Sequence, residues 1–344
     1  LWAPPDFAYL GALGMVLGFS QVNKVCVKPK LSLQYKPRPS AVDFQLDRDK
    51  PCVFKDAIDN ELAKTLNFDN FKQRLPNKEI KLKRSLCQNE EQIGVTLHQY
   101  IDYIVEGRPL KNAMVYHPSS GDTTFSDFTT EDKLYCLALN CEYLEDFINH
   151  VSCPSFFGDW FDRYLPTFRD AVVYGHMHTW FFIGPKGTLS ELHSDHDDIH
   201  TTIQQCCGIK RFFTIPPDQQ IFLEGKFDDS LLESLRFSLG ENSIRITSQL
   251  DSTEAGELLE TMNSIEVHVN DIQAGDVIYI PSMTGHYAES LTNSISVSRD
   301  FIDDRNIDAY LFSGLFKSNL FSQASQLAHF GTINSLINRQ YETT

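Results

Sequence analysis

The sequence predicts a mainly β fold with α/β additions, and three observations carry that reading. From Ala171 the chain breaks into short β-rich runs separated by Gly and Pro turns, the texture of a compact barrel or sandwich. The stretch Ser294-Ile-Ser-Val-Ser298 alternates with a strict period of two, which sets its serines on one strand face and Ile295 and Val297 on the other. A length of 344 residues leaves room for a mixed region before the barrel and helices after it.

Taken in order, the elements fall into three parts. In residues 1–150, Phe7 to Phe19 is the longest apolar run, but its 13 residues include three glycines and fall short of a membrane span. Ser40-Ala-Val-Asp43 reads as a capping signal, and Pro51-Cys-Val-Phe54 as a buried strand ended by Lys55-Asp56. Helical periodicity covers Glu61 to Leu75. A further helix from Thr96 to Glu106 sets Ile101, Ile104 and Val105 on one side and stops at Gly107, a residue suited to the left-handed cap. This region is expected to be mixed α/β and to pack on the core.

Residues 151–302 hold the expected barrel. Its runs are Val172-Val-Tyr174, Trp180 to Ile183, Thr201 to Ile203, Arg211 to Ile215, Ile265 to Val269 and Val277 to Ile280, with helical insertions at Ser230 to Leu239 and Thr253 to Met262. In residues 303–344, Ile307, Tyr310, Leu311 and Leu315 recur at helical spacing, and Leu327 to Ile337 gives a second helix. These helices either cover an open end of the barrel or form a homodimer interface.

Thirty basic against forty-six acidic residues give a net charge of −16, which argues against a phosphate-binding face and so against a nucleic-acid partner. A basic peptide or a small molecule is the easier partner. No membrane segment is expected. Eight cysteines without a CxxC pair read as reduced core thiols, and the expected compartment is cytoplasmic.

The densest group of potential ligands is His193-Ser-Asp195-His196-Asp-Asp198-Ile-His200. Alternate residues of a strand share a face, so His193 and Asp195 can both address one ion. A third ligand has to come from elsewhere, and His286, just beyond Gly275-Asp-Val-Ile-Tyr-Ile-Pro281, is the best placed. Two histidines and a carboxylate on one face of a metal form the facial triad of non-haem iron oxygenases. Seventeen residues after His193, Gly208-Ile-Lys210-Arg-Phe carries a cation on an apolar strand. Lys210 is either a barrel-interior anchor for an anion or half of a solvated edge pair with Arg211.

Gly187-Thr-Leu-Ser-Glu-Leu-His193-Ser-Asp195, Gln205-Cys-Cys-Gly208-Ile-Lys210-Arg-Phe and Gly275 to Pro281 followed by His286 occur in one order. With a looser match over Asp49 to Ile58, this set resembles the JmjC and cupin-like family of Fe(II)- and 2-oxoglutarate-dependent oxygenases over roughly residues 40–302. Its hydroxylase branch, which includes the asparaginyl hydroxylase of hypoxia-inducible factor, is the nearest in pattern.

The resemblance implies a double-stranded β-helix, or jelly-roll, core. It also implies Fe(II) held by His193, Asp195 and His286, and 2-oxoglutarate held by Lys210, with O2 as the third reactant. Ser190 stands where relatives place a hydroxyl on the same distal carboxylate, although a turn serine bonded to backbone fits the sequence as well. Thr201 and Ser298 occupy regions where relatives use other polar residues near the cosubstrate. Tyr174 is either a phenol donor from an earlier strand or a core aromatic. His196 and His200 are expected at the substrate mouth or behind the ligands. The implied reaction hydroxylates a C–H bond, with succinate and carbon dioxide as coproducts. A protein or peptide side chain leads as substrate, ahead of a free amino acid, a natural-product intermediate or a tRNA base, and a noncatalytic binding or scaffold protein is the rival from another class.

Overall fold

The computed structural model describes residues 24–27, 35–37, 50–58, 61–84, 91–140, 179–195, 199–241, 243–303, 305, 306 and 309. Eight of its strands build the barrel: β1 (Thr179–Gly184), β2 (Leu189–His193), β3 (His200–Cys207), β4 (Ile209–Ile215), β5 (His268–Gln273), β6 (Val277–Ile280), β7 (Gly285–Ser290) and β8 (Ser294–Phe301). All pair antiparallel, in the orders β1-β8-β3-β6 and β2-β7-β4-β5. Two facing sheets with this interleaved order are a jelly roll.

The first sheet continues beyond the barrel. Cys52–Lys55 pairs on the outer edge of β6, and Leu134–Asn140 on that of β1. Glu79–Arg84, Gln92–Thr96, Leu110–His117 and Asp122–Phe128 then extend it, so the sheet draws strands from both sides of residue 150.

Period-two alternation sorts the side chains into three packed layers. Phe212 on β4 points inward and packs with Val53, Ile203, Ile272, Ile278, Ile280 and Ala288. Its neighbours Phe213 and Ile215 point outward, against Leu223, Phe237, Leu258 and Tyr287. On β8, Ile295 and Val297 face the cluster built on Phe71, Tyr100 and Phe181, while Ser296 turns inward and donates to Gln205 Oε1 at 2.8 Å. Every residue of β8 is buried because the N-terminal region covers the outer face.

One covering element is the helix Leu97–Glu106. Thr96 caps it by accepting from the Gln99 amide, and Gly107 ends it at φ 66°, in the left-handed region. The Tyr100 hydroxyl lies 2.9 and 2.8 Å from the carbonyls of Leu134 and Ile183, which pins the helix across two strands. Val105 departs from expectation: it is 49% exposed, since it lies 100° beyond Ile104 and leaves the stripe formed by Leu97, Tyr100, Ile101 and Ile104.

Other boundaries also differ. Glu61 to Leu75 splits into Glu61–Thr65 and Phe68–Arg74, because the Asn67 side chain accepts from the Asn70 amide and starts a new helix. The expected helix Ser230 to Leu239 is the helix Asp229–Glu233 followed by the strand Leu235–Leu239, which pairs with Ile244–Ser248. There the alternation of Leu235 and Phe237 overrides helical propensity. Thr253–Met262 is a helix with Ser252 as its cap. A helix over Pro217–Lys226 was not expected, and β5 starts at His268 rather than Ile265.

Gly208 joins β3 to β4 at φ 78°, where a Cβ would stand 2.1 Å from the Asn293 carbonyl oxygen. Only glycine fits that turn. Of the described cysteines, Cys52, Cys136 and Cys206 are buried free thiols and Cys207 is half-buried. No described helix is long and apolar enough to cross a membrane. Phe7 to Phe19, Ser40 to Asp43, Val172 to Tyr174 and the two C-terminal helices lie outside the described residues, and with them the expected dimer surface.

Candidate functional site

His193 ends β2 directly across from His286 on β7, and their rings are 4.2 Å apart between centroids. A register shift between Ser190 and His193 turns the end of β2 so that both imidazoles address the same space. Asp195, two residues on, places Oδ1 3.9 Å from Nε2 of His193 and 3.8 Å from Nε2 of His286. The three ligand atoms all lie within 4.8 Å of one another. Ser194, between the ligands, donates to Glu224 Oε1 at 2.6 Å and so ties this segment to the helix Pro217–Lys226.

The hydrogen bonds behind the rings decide which nitrogens are presented. His193 Nδ1 lies 2.7 Å from the Glu191 carbonyl oxygen, and His286 Nδ1 lies 3.1 Å from that of Thr284. A carbonyl can only accept, so both Nδ1 atoms carry hydrogen and Nε2 is the nitrogen each ring leaves for a metal. Such outer hydrogen bonds fix the tautomer of metal-binding histidines. Burial, and then the neighbouring His193, push the pKa of His286 below its ordinary value, which keeps its ring neutral. Two imidazoles and one carboxylate are a donor set suited to a divalent iron with open positions.

Lys210 sits on β4, four residues before Thr214, which is the cross-strand partner of His286. That spacing is about 13 Å along the strand. Only 3% of Lys210 is exposed, and its Nζ donates to the Tyr135 hydroxyl at 3.1 Å while lying 5.4 Å from the centre of the Phe182 ring. No described carboxylate pairs with it. Burial pulls its pKa down to about 7, because the charged form has lost water without gaining an anion. Arg211, by contrast, points outward and holds Asp271 through two hydrogen bonds of 2.7 and 2.8 Å. The pair that looked alike in sequence is split by strand alternation into an interior cation and a surface ion pair.

Around Lys210 the wall is lined with hydroxyls. Ser190 is buried beside the Tyr135 phenol and hydrogen-bonds to it. Tyr135 belongs to the strand Leu134–Asn140, and nothing in the sequence singles it out. Its signal is faint, one polar tip in an apolar run, and only pairing with β1 brings it to the barrel.

Thr201 faces inward from β3, but at the other end of the cavity from Lys210: its hydroxyl donates to Asp195 Oδ2 at 2.6 Å. Ser298 is buried on β8, level with Ile203 and Trp180. Tyr174 and His196 lie outside the described residues. His200 is on the opposite face of β3 from Thr201. Its Nδ1 accepts from the Ser282 amide at 2.9 Å and its Nε2 lies 3.6 Å from Asp303, so it braces the ends of β3, β6 and β8.

A model of the cupin-like domain family matches residues 40–304, more than three quarters of the chain. The chain belongs to this cupin-like family. Among curated relatives, it is 23% identical over 179 residues to the 2-oxoglutarate and iron-dependent oxygenase JMJD4 of Danio rerio, which covers 49% of this chain and 38% of the relative. It is 25% identical over 228 residues to JMJD4 of Homo sapiens, 61% of this chain and 50% of the relative. Similarity to the lysine-specific demethylase JMJ30 of Arabidopsis thaliana is 31% over 124 residues, 36% of this chain and 25% of the relative. This cupin-like chain spans half or less of the length of these three relatives.

Proposed function

We propose that this chain is an Fe(II)- and 2-oxoglutarate-dependent oxygenase that hydroxylates a C–H bond of a protein or peptide side chain, with succinate and carbon dioxide as coproducts. The observation that carries the reading is the pairing, in one barrel, of the His193, Asp195 and His286 ligand atoms with a buried Lys210 that has no carboxylate among the described residues. The names of the relatives, two of them 2-oxoglutarate and iron-dependent oxygenases, support it.

Nε2 of His193, Nε2 of His286 and Oδ1 of Asp195 would hold the iron. Lys210, Tyr135 and Ser190 would take the distal carboxylate of 2-oxoglutarate, where a charge-assisted bond to a buried ammonium is strong. Iron with its cosubstrate and oxygen supplies the oxidising power that no side chain here has. The protein's own work is to orient and to exclude water. Phe212, Ile203 and Ala288 line the interior between the two ends, and their apolar surface keeps it dry. No residue need act as a general base.

The lip favours a peptide over a small enclosed ligand. The His193 side chain is 44% exposed, and Glu191, Glu224 and Glu233 stand around the end of its strand. Burial and then Glu191 raise the Glu233 carboxyl above its ordinary pKa, and Arg236, 3.7 Å from Glu191, offsets only part of this acidic group. A basic segment matches them and the net charge of −16. The demethylase named among the relatives suggests a second outcome of the same chemistry, since hydroxylation of an N-methyl group releases it as formaldehyde.

The test is incubation of the whole chain with Fe(II), 2-oxoglutarate, oxygen and pools of basic peptides, followed by mass spectrometry and succinate assay. The expected result is gain of one oxygen atom on a peptide, matched by succinate. Loss of a methylene unit would identify demethylation. Succinate formation with a free amino acid but with no peptide would move the substrate to the small-molecule class, and none with any substrate would favour a noncatalytic role.

A further inference from the structure

Asp195 uses its two oxygens differently. Oδ1 faces the two imidazoles, and Oδ2 accepts the Thr201 hydroxyl at 2.6 Å. The same hydroxyl lies 3.1 Å from Oδ1 of Asp300, its cross-strand partner on β8. Asp300 is in turn held from β1, where the Trp180 indole donates to its Oδ2 at 3.2 Å. A line of hydrogen bonds therefore runs across β1, β8 and β3 and ends on a proposed ligand. Asp300 is 8% exposed and is neither a proposed metal ligand nor a proposed cosubstrate contact.

We infer that Asp300 is a positioning residue for the metal centre, acting through Thr201 to fix which oxygen of Asp195 is left for the ion. The donor count requires this direction. A hydroxyl has one hydrogen, and the shorter contact, to the Asp195 carboxylate, takes it. The Thr201 oxygen is then an acceptor toward Asp300, which must supply a hydrogen of its own. Thr201 is thereby committed at the metal end. Had Asp300 been apolar, the hydroxyl could rotate and the carboxylate could turn either oxygen to the ion.

The inference rests on the triad holding a divalent metal, and the test separates the two. Manganese(II) affinity is measured by electron paramagnetic resonance on the full chain, in the wild type and in Thr201→Val, Asp300→Leu, Asp300→Asn and the Thr201→Val/Asp300→Leu pair. Cobalt(II) spectra of the same proteins report ligand geometry, and melting curves report folding. Loss of an outer-shell partner costs about 10- to 100-fold in metal affinity, and that loss is expected in Thr201→Val and Asp300→Leu, with the same change in the cobalt spectrum.

Asp300→Asn, which keeps an acceptor for Trp180 and a donor for Thr201, should bind close to wild type. The pair should be no weaker than Thr201→Val alone, because Asp300 acts only through that hydroxyl. Wild-type affinity in Asp300→Leu, additive losses in the pair, or an Asn variant that folds normally yet loses as much as Leu would each overturn the inference. If Asp300→Leu does not fold, the Asn and Thr201→Val variants still decide it. A wild type that binds no manganese would instead overturn the triad, and this inference with it.

Discussion

The two ends of the barrel interior are finished to different degrees. At the His193 end, each proposed ligand is braced from behind: the histidines by the Glu191 and Thr284 carbonyls, Asp195 by Thr201. At the Lys210 end, the cation has two aromatic neighbours, the Tyr135 phenol and the Phe182 ring, and no described anion. One end is preorganised and needs only an ion. The other is electrostatically incomplete, and a bound anion would complete it. The contrast predicts that substitutions at the first end destroy binding, whereas those at the second tune it.

The largest effect belongs to the ligands. His193→Ala or Asp195→Ala should abolish turnover and metal binding while the fold survives, since each removes one of three donors at the end of a strand. Succinate assay and manganese binding check this, and turnover at wild-type rate in either variant would erase the contrast. Lys210→Ala should come next. It should raise the 2-oxoglutarate concentration needed by about 10- to 100-fold, the worth of a bond to a charged group, with metal affinity retained. An unchanged cosubstrate requirement would return Lys210 to a purely structural role.

The same end should titrate. Lys210 has a folded pKa of about 7, lowered from 10.5 by burial. Its ammonium is present below about 7 and lost above it, so cosubstrate affinity should fall as pH rises through that value, with a proton taken up on binding. For the protein without ligand the sign runs the other way. Between about 7 and 10.5 the unfolded chain binds more protons than the folded one, so stability rises with pH across that window. Lys210→Met should flatten both slopes, and calorimetry in buffers of differing ionisation enthalpy counts the proton. Tyr135→Phe should give the smallest change, about fivefold in cosubstrate affinity, because one neutral hydrogen bond is worth about 1 kcal/mol.

These two ends are also unequally legible in the sequence. His193 and Asp195 are two positions apart in the chain, and His286 follows a recognisable strand and turn, so residue type and spacing bring out these three as candidates, and the resemblance to the oxygenase family is what assigns them as ligands. Lys210 stands out because a cation is rare within an apolar strand. Tyr135 and Asp300 do not. Each reaches the interior only through strand pairing, Tyr135 from an added strand on β1 and Asp300 from β8 opposite Thr201. Local pattern carries no record of which strands meet. The same limit explains the hairpin at Leu235–Leu239 and Ile244–Ser248, whose first strand reads as helix when its partner is left out of view. Thr253–Met262 is legible because its Ser252 cap and its apolar stripe lie within one short segment.

The central claim is that one barrel holds a metal at the His193 end and a dicarboxylate reaching to Lys210. Its most direct test is an anaerobic titration of 2-oxoglutarate into the Fe(II)-loaded chain, followed by the visible charge-transfer absorption of a chelated 2-oxo acid. One equivalent should develop the band in the wild type, His193→Ala should show none, and Lys210→Ala should show the same band at a higher midpoint. A wild type without the band, or a Lys210→Ala midpoint identical to wild type, would contradict it.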